Sequence, residues 1–528
     1  MTETKANLLG FEAKMCGIRS DFHRLTNDFL PLEQCAPFSP QAYNAIASVV
    51  LESIYTCIDR ISSLFDPNTY YYNLGVILYK ELLSETCTHY FGEYERIFNF
   101  VDPCLDRGHF ISRQPGFSET FFHKLSVKTS GIIMPLVRTV AKPGGARIGW
   151  AGTTTFPWSG LALGLVRRGI GFTSIQAEDC VVIPESQAQI TILYQWADDL
   201  HLAVAEALNT PPQSLNKFDS KRIASIVEPM LSLPRMVDNP IDLLITGSLG
   251  EIDARLYALQ AQARKIPVMT IYHGAFYAYD EPWWPLYENA LPDIKIMYGQ
   301  VDKQYIRDSV NTNLAGKSIR IYSRSDSHVQ AIYKEGEIHQ VSLLRGLKAV
   351  HLSAGGGWQK QRYGPYRDVH PATYLKWQEA LLIWLEKQTG KRPYVRLHPK
   401  RDETRYDPVG YTNIGGDMLD VLDAADVYVI DFPTTSLAYI SATKKPVLFF
   451  DIGLRRLHSE ALRAIQGRCH YAEVDLMAPE AGFETMHHDL SRECSHTFVP
   501  TYCLSENSGQ SEVEAVSDAV SRLFKAAR

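Results

Sequence analysis

The 528-residue sequence contains no Cys-x-x-Cys pair, and its nine cysteines are scattered from Cys16 to Cys503. An odd number of widely spaced cysteines argues against a disulfide framework and against a cysteine-based zinc site. Free thiols are typical of a reducing compartment. The cysteine pattern therefore predicts a cytoplasmic protein.

Long apolar runs and an excess of positive charge are also missing. The first residues, MTETKANLLGFEAK, show no charged segment followed by an apolar core, and no run approaches the roughly 18 apolar residues of a membrane span. The net charge is -6, so the chain as a whole lacks the basic surplus that binds nucleic acid non-specifically. We expect neither a secretion signal, nor a spanning helix, nor a nucleic-acid partner.

The overall composition, 45% hydrophobic and 21% charged, is that of a globular protein. A chain of this length is too long for one ordinary core, which predicts several domains. Residues 1–142 carry apolar positions at helical spacing and predict a helical extension, either a scaffold packed on the main body or a surface for an acceptor or partner. Residues 143–335 and 336–528 read as two α/β domains, and a final helix of the second is expected to pack back on the first half.

The first α/β domain has the pattern of alternating strands and helices. A strand at Arg147–Trp150 leads into a small-residue turn that is not GxGxxG, so a dinucleotide site is not indicated. Further along, strands at Ile241–Thr246 and Pro267–Tyr272 flank a predicted helix, which makes a βαβ unit. Three polar residues follow these two strands and are candidates for a general base, namely Glu251, Asp253 and His273. The two carboxylates are equally explained as ordinary acids of a helix's first turn.

An aromatic and acidic segment, Ala275–Trp284, comes directly after the second of these strands. Such segments form stacking platforms for sugars or bases, and they also occur as plain packed loops. Trp283 and Trp284, like the N-terminal helices, are candidate docking surfaces for a membrane, although no polybasic run accompanies them.

The second α/β domain begins with a predicted strand, Leu347–Ser353, followed by a triple glycine. Because glycine has no Cβ, backbone amides there can approach a phosphate closely, and basic residues stand nearby. A flexible turn is the alternative. The donor-binding candidates from this segment are Gly355, Gly356, Gly357 and Lys360.

Three further β-type runs, Tyr394–Leu397, Val427–Ile430 and Val447–Phe450, predict consecutive parallel strands, and polar groups stand where each ends. Ligands of open parallel sheets bind at the carboxyl ends of the strands, where helix N-termini aim their amides at anions. The first two runs therefore predict two halves of one anion site. Its candidates are Arg396, His398, Pro399, Lys400, Asp431, Thr434, Thr435 and Ser436. A helix N-cap without a ligand is the alternative for the threonine pair.

The segment Arg396-Leu397-His398-Pro399, together with DVLDAADVYVIDFPTTSLAYISATKKPVLFF, resembles the CDP-glycerol glycerophosphotransferases, bacterial polysialyltransferases and capsule Kdo transferases. The resemblance implies the GT-B architecture, two Rossmann-like domains facing across a cleft. It also implies that His398-Pro399 and the pair Thr434-Thr435 bind the phosphate of a cytidine nucleotide. His273-Gly274 is similar to the His-Gly of the glycerophosphotransferases, in which the histidine is a proposed base.

The sequence thus predicts a metal-independent glycosyltransferase without a bound cofactor. The expected donor is a CMP-activated sugar of the Kdo or nonulosonic-acid type. The expected acceptor is a hydroxyl of an oligosaccharide or glycolipid in bacterial surface polysaccharide synthesis, with peripheral inner-membrane association and partner proteins of an assembly complex left open. The alternatives are transfer of glycerol phosphate or another polyol phosphate, a UDP-sugar transferase or epimerase, and a non-catalytic nucleotide-binding scaffold.

Overall fold

The structure is a computed structural model, and it describes most of the chain beyond residue 146. From the N-terminal part it describes residues 49–50, 53, 57, 82, 85–86 and 89–90. The remaining described ranges are 147–151, 158–174, 180–181, 187–219, 235–236, 241–247, 249, 252–271, 291–299, 320–333, 337–353, 371–397, 408–416, 418–454, 457–476, 478–505 and 512–526.

The first half contains one six-stranded sheet and one two-stranded sheet. Its elements, in chain order, are β1 (Arg147–Ala151), α1 (Trp158–Arg167), β2 (Gly171–Ser174), β3 (Cys180–Val181), α2 (Gln187–Ala207), β4 (Arg235–Met236), β5 (Leu243–Thr246), α3 (Ile252–Ala263), β6 (Val268–Ile271), β7 (Ile294–Tyr298), β8 (Arg320–Arg324) and α4 (Ser327–Ile332).

The second half contains another six-stranded sheet. Its elements are β9 (Ala349–Leu352), α5 (Pro371–Thr389), β10 (Tyr394–Arg396), β11 (Thr412–Asn413), α6 (Met418–Ala424), β12 (Val427–Ile430), α7 (Thr435–Ala442), β13 (Val447–Asp451), α8 (Ser459–Arg468), β14 (His470–Glu473), α9 (Glu480–Asp489), α10 (Phe498–Tyr502) and α11 (Glu512–Ala526).

Both large sheets are parallel throughout and reverse their strand order once. The first runs β2-β1-β5-β6-β7-β8 and the second runs β11-β10-β9-β12-β13-β14. The second order is that of a doubly wound dinucleotide-type sheet, and the reversal between β9 and β12 is the place where such sheets bind ligands. The prediction of two Rossmann-like α/β domains is confirmed.

The apolar residues of the central strands explain why these strands lie in the interior of each sheet. All four residues of β5, β6, β9 and β12 are buried, as expected of strands covered by helices on both faces. Two helix boundaries follow from single residues. Gly169, at φ 76°, follows the end of α1, a conformation that glycine adopts without steric cost. Pro371 opens α5, where a missing N–H costs nothing.

Most predicted strands are found within a few residues of their predicted bounds, and Val427–Ile430 is found with the same bounds. The sequence did not predict β2, β3, β4, β11 and β14. Three of these strands, β3, β4 and β11, contain only two residues each, too few for an alternating or continuous apolar pattern. The other two, Gly-Phe-Thr-Ser and His-Tyr-Ala-Glu, lie at sheet edges and lack a continuous apolar run.

The two halves share packed residues. Met297 and Tyr298 of β7 belong to the same buried cluster as Tyr502 and Cys503, beside α10 of the second half. The hydroxyl of Ser325 lies 3.1 Å from that of Ser505. Helix α11 packs on α1 and β8, so the end of the chain completes the core of the first half.

The described N-terminal residues are helical and contact the body of the protein. The Trp196 indole on α2 donates a hydrogen bond to the Ser53 carbonyl at 2.6 Å. His89 Nε2 lies 3.1 Å from the Asn216 carbonyl, and the Tyr90 ring packs near Phe218. These contacts join the described N-terminal residues to α2 and to the segment that follows it.

Two findings concern the helices and the cysteines of the described residues. In the described part of the chain, none of the helices combines the length and the apolar character that crossing a membrane requires. The cysteines whose state the structure assigns, Cys57, Cys469, Cys494 and Cys503, are thiols outside any disulfide.

Candidate functional site

The register of the second sheet brings the ends of three strands side by side. Leu352, the last residue of β9, pairs with Arg396 of β10 on one side and with Ile430 of β12 on the other. The Ser353 amide then donates to the Arg396 carbonyl at 3.0 Å, which continues the contact one step beyond the strands. The carboxyl ends of these three strands therefore lie side by side, at the point where the strand order of the sheet reverses.

Each of these three segments carries one of the predicted donor-binding motifs. The glycines 355–357 and Lys360 follow β9, His398, Pro399 and Lys400 follow β10, and Thr434 follows β12. Gly355, Gly356, Gly357, Lys360, His398, Pro399 and Lys400 lie outside the described residues. Arg396 is described and half-buried, and its Nη1 donates to the Gly416 carbonyl at 3.0 Å.

Thr434 is the N-cap of α7. Its backbone is extended, and its hydroxyl accepts a hydrogen bond from the Ser436 amide at 3.2 Å. Threonine is a preferred N-cap because this hydroxyl satisfies one of the amides that the helix leaves unpaired. Thr434, Thr435 and Ser436 are all half-buried. Thr434 thus caps a helix that begins at the carboxyl end of β12. Helix N-termini of this kind are able to bind anions through their first-turn amides.

Asp431 was predicted to contact the donor, and the structure places it elsewhere. Its side chain is fully buried, and its Oδ2 lies 3.1 Å from His351 Nε2. The same oxygen accepts from the Tyr374 hydroxyl at 2.7 Å and from the Trp377 indole at 3.2 Å. The prediction that Asp431 touches the donor is therefore corrected, because a carboxylate with no exposed surface and these partners is enclosed by its own domain.

Burial of a carboxylate is costly unless hydrogen bonds replace its water shell. Here an imidazole, a phenol and an indole do so, and the Gln378 amide lies 3.4 Å from the other ring nitrogen of His351. In this arrangement the Gln378 side-chain nitrogen points at Nδ1, and Nε2–H donates to Asp431. We name the set Asp431, His351, Tyr374, Trp377, Gln378 and Ser353 the Asp431 cluster.

The sequence did not reveal the partners of Asp431. Tyr374, Trp377 and Gln378 stand on one face of α5, three and four residues apart. His351 lies inside an otherwise apolar strand, Ala-Val-His-Leu. A histidine in a buried strand and a polar face on a buried helix were the available signals, but neither identifies the residue with which it pairs.

The first sheet has a corresponding edge at β1, β5 and β6. Thr246, the last residue of β5, pairs with Ala151 on one side and with Thr270 on the other. Of the predicted bases, Glu251 and His273 follow these strands but lie outside the described residues. Asp253 belongs to α3, and its side chain is outside the description. The aromatic segment 275–284 is outside it as well.

Three polar side chains form a buried row across the first sheet. Thr270 pairs with Thr246 and with Lys295 of β7, so the three side chains face the same side. All three are fully buried. Within the part of the chain that the structure describes, the Thr246 and Thr270 hydroxyls have no hydrogen-bond partner. Buried hydroxyls without a partner are unusual in folded proteins.

The fold and these two edges define an α/β protein of two Rossmann-like halves, each with polar residues at the carboxyl ends of its central strands. No family model matches the chain, and no curated protein matches it.

Among solved structures, the glycotransferase of kitacinnamycin is similar over 72% of this chain and 99% of its own, at 12% identity and a TM-score of 0.36. Apo UGT2 of Phytolacca americana has the same coverage and identity, with a TM-score of 0.34. MurG of Acinetobacter baumannii is similar over 72% of this chain and 100% of its own, at 10% identity and a TM-score of 0.32.

Proposed function

We propose that the protein is a glycosyltransferase that moves a sugar from a nucleotide-activated donor to an acceptor hydroxyl. One observation carries the proposal. The strands that precede the glycine segment, the His398-Pro399 segment and the Thr434 cap end side by side where the second sheet reverses its order. That is where a doubly wound sheet binds a nucleotide, and the residue types in all three segments suit a phosphate.

The chemistry of the step explains why these residue types are useful. When the bond between sugar and phosphate breaks, negative charge develops on the leaving phosphate. Fixed donors aimed at this charge stabilise the transition state more than the ground state. In our proposal His398 and Lys400 supply charge and hydrogen bonds, and the Thr434 and Thr435 hydroxyls at the N-terminus of α7 supply further donors.

The acceptor hydroxyl must lose its proton as it attacks the sugar, which requires a general base. Glu251, Asp253 and His273 remain our candidates, since they follow β5 and β6 at the carboxyl edge of the first sheet. Loss of turnover with retained nucleotide binding in one of Glu251→Gln, Asp253→Asn or His273→Ala would identify the base.

For the donor we propose a CMP-linked sugar of the Kdo or nonulosonic-acid type, on the strength of the sequence resemblance. Metal-independent transfer to an oligosaccharide or glycolipid of the bacterial surface belongs to the same proposal. So does a cytoplasmic location with peripheral contact to the inner membrane and to proteins of polysaccharide assembly. A UDP-sugar is the alternative to test first, because UDP also leaves with negative charge on a phosphate that basic and hydroxyl groups can stabilise.

The donor class is tested by isothermal titration of the whole chain with CMP, CDP, UDP and GDP. Preferential binding of CMP supports the CMP-sugar donor. Preferential binding of CDP indicates polyol-phosphate transfer, and preferential binding of UDP indicates a UDP-sugar enzyme. Nucleotide binding without donor hydrolysis or transfer would favour a scaffold. A chain that binds none of the four would overturn the proposal.

The Thr434 cap provides a direct test of the anion site. Thr434→Ala removes the hydroxyl that orders the first turn of α7, at a cost of about 1 kcal/mol in the free energy of unfolding. We expect the Kd of the preferred nucleotide to rise several-fold in the same variant. Thr434→Ser keeps the hydroxyl and should restore both values. Unchanged affinity in Thr434→Ala, alongside the stability loss, would leave Thr434 as a cap without a ligand.

A further inference from the structure

A buried positive charge lies at the C-terminal end of α7. The Arg468 side chain is fully buried, and its Nε and Nη2 donate to carbonyls of the last turn of α7 and of the residues just after it. The four acceptors are Ile440 at 3.4 Å, Ser441 at 3.0 Å, Thr443 at 2.9 Å and Lys445 at 3.0 Å. Arg468 Nη1 is buried and has no hydrogen-bond partner among the described residues.

The described residues also supply no carboxylate to neutralise this charge. The titratable side chains that act on the Arg468 guanidinium are the thiols of Cys469 and Cys494. A buried charge without an opposite charge is costly, and carbonyl acceptors compensate it only in part. A neutral amide side chain can donate to carbonyls without this cost. Capping α7 therefore explains the hydrogen bonds of Arg468 but does not explain why the capping group is charged.

The charge acts on the other end of the same helix. A helix carries about half a positive charge at its N-terminus and about half a negative charge at its C-terminus. An anion at the N-terminus of α7 is attracted by the first and repelled, from farther away, by the second. Because Arg468 binds the C-terminal carbonyls, its charge cancels this repulsion and adds attraction.

The distance between the two ends keeps this effect large enough to matter. Helix α7 has eight residues, so about 15 Å separate the guanidinium from the first turn of the helix. Five of the eight residues, Leu437, Ala438, Ile440, Ser441 and Ala442, are buried. Salt screens a charge that acts through such an interior less than it screens a charge on the surface.

We propose that Arg468 is a positioning residue that strengthens anion binding at the N-terminus of α7 by its charge, through the helix and without touching the ligand. The anion is the phosphate of the nucleotide, so this inference rests on the proposed function. At about 15 Å and an effective dielectric constant of about 20, loss of the charge raises Kd up to roughly sixfold for each negative charge of the ligand.

The first experiment separates the charge of Arg468 from its hydrogen bonds. Isothermal titration of the whole chain with CMP, CDP and inorganic pyrophosphate compares wild type, Arg468→Lys and Arg468→Met. Both variants lose most of the hydrogen bonds to α7 and should melt at a lower temperature, but Arg468→Lys keeps the charge. We expect Arg468→Lys to retain a Kd close to that of the wild type. In Arg468→Met the Kd should rise roughly tenfold or more for CMP, and further for CDP, which carries more charge.

A second pair of variants leaves the buried arginine in place, in case Arg468→Met does not fold. Thr443 is half-buried, its carbonyl accepts from Arg468, and its hydroxyl accepts from the Lys445 amide at 3.2 Å. Aspartate and asparagine can both accept from that amide, but only aspartate adds a negative charge beside Arg468. We expect the Kd for CMP to be several-fold higher in Thr443→Asp than in Thr443→Asn.

Arg463 on the same helix α8 provides the control for the loss of a positive charge. Its side chain is 73% exposed and lies 4.0 Å from Glu460, so water and salt screen its charge. Arg463→Met should leave the Kd values for CMP and CDP unchanged. A rise in Arg463→Met equal to that in Arg468→Met would mean that net charge, and not the place of Arg468 behind α7, sets the affinity.

The outcomes separate this inference from the proposed function. Equal Kd values in Arg468→Lys and Arg468→Met, or in Thr443→Asp and Thr443→Asn, would overturn the role of the charge while nucleotide binding stands. If pyrophosphate binds and no nucleotide does, the proposed function fails, and the same comparisons made with pyrophosphate decide the role of Arg468. A wild-type chain that binds none of these anions overturns both.

Discussion

At the scale of single residues, the structure contrasts two ways of burying a polar group. The Asp431 carboxylate is compensated by three donors from β9 and α5. The Thr246 and Thr270 hydroxyls, by contrast, have no partner among the described residues. A buried hydroxyl without a hydrogen bond costs roughly 1–3 kcal/mol relative to water. The first sheet therefore carries a local cost close to the strand ends where the base candidates stand.

This cost can be measured by removing the hydroxyl. Thr270→Val keeps the branched shape of the side chain, and we expect the free energy of unfolding to stay level or to rise by up to about 2 kcal/mol. Urea denaturation measures it. Thr389→Val is the control, because that hydroxyl donates to the Leu385 carbonyl at 2.8 Å and its loss should destabilise. A clear destabilisation by Thr270→Val would mean that the hydroxyl has a partner in the folded protein.

The sequence predicted which polar residues stand at the strand ends, but only in part what each of them does. A polar residue directly after a buried apolar strand points to a strand end, which placed Asp431 and Thr434 correctly at the edge of the sheet. The partner of Asp431, His351, stands 80 positions earlier in the chain. Nothing local to Asp431 specifies whether it faces a ligand or an imidazole, so its enclosure became visible only in the folded chain.

At the scale of elements, the short helix α7 is held at both of its ends. Thr434 caps its N-terminus. At its C-terminal end, the buried Arg468 guanidinium from α8 donates to the carbonyls of Ser441 and Thr443, at 3.0 and 2.9 Å. Helix C-terminal carbonyls need such partners when they are buried. The helix that carries the proposed phosphate contacts is thus fixed by α8.

His470 in β14 leads us to predict that the stability of the protein depends on pH. Burial lowers the pKa of His470 from its ordinary value of 6.5, and its Nδ1 lies 2.8 Å from the Asp489 carbonyl. The nearby charges belong to Asp489, Arg492 and Arg468. Because the unfolded chain binds the proton more readily, stability is fully present above pH 6.5 and is lost as the pH falls below it.

Urea denaturation at pH 7.5 and pH 5.5 measures this loss. We expect a smaller difference between the two pH values in His470→Gln than in the wild type. His487→Gln, on the exposed side of α9, is the control and should leave the difference unchanged. Burial also lowers the pKa of His496. The His470→Gln variant should therefore keep part of the pH dependence of stability. An unaltered difference in His470→Gln would rule out His470 as a source.

At the scale of the whole molecule, the two halves are joined by close backbone packing beside β7. A Cβ added to Gly299 would lie 2.5 Å from the backbone carbonyl carbon and oxygen of Tyr502, which belongs to the second half. Its φ of 73° is also in the left-handed region that favours glycine. Gly299 thus allows α10 to approach the end of β7, next to the contact of Ser325 with Ser505.

Gly299→Ala tests how much this approach contributes. We expect a loss of at least about 2 kcal/mol in the free energy of unfolding, since backbone atoms cannot move aside as a side chain does. Gly169→Ala is the matched control, at φ 76° with no atom within 4 Å of the added Cβ. It should cost only the backbone strain, about 1 kcal/mol. Equal losses would show that the packing on Tyr502 is unimportant.

The sequence by itself indicated most central strands and the α/β class, because short apolar runs that alternate with helix signals are typical of parallel strands covered by helices. It also placed polar motifs at strand ends, since the order of residues fixes which side chains come after each strand. Tertiary structure decided which strand ends are neighbours and that Asp431 is enclosed rather than open to a ligand. These depend on contacts between residues far apart in the chain, which local patterns do not encode.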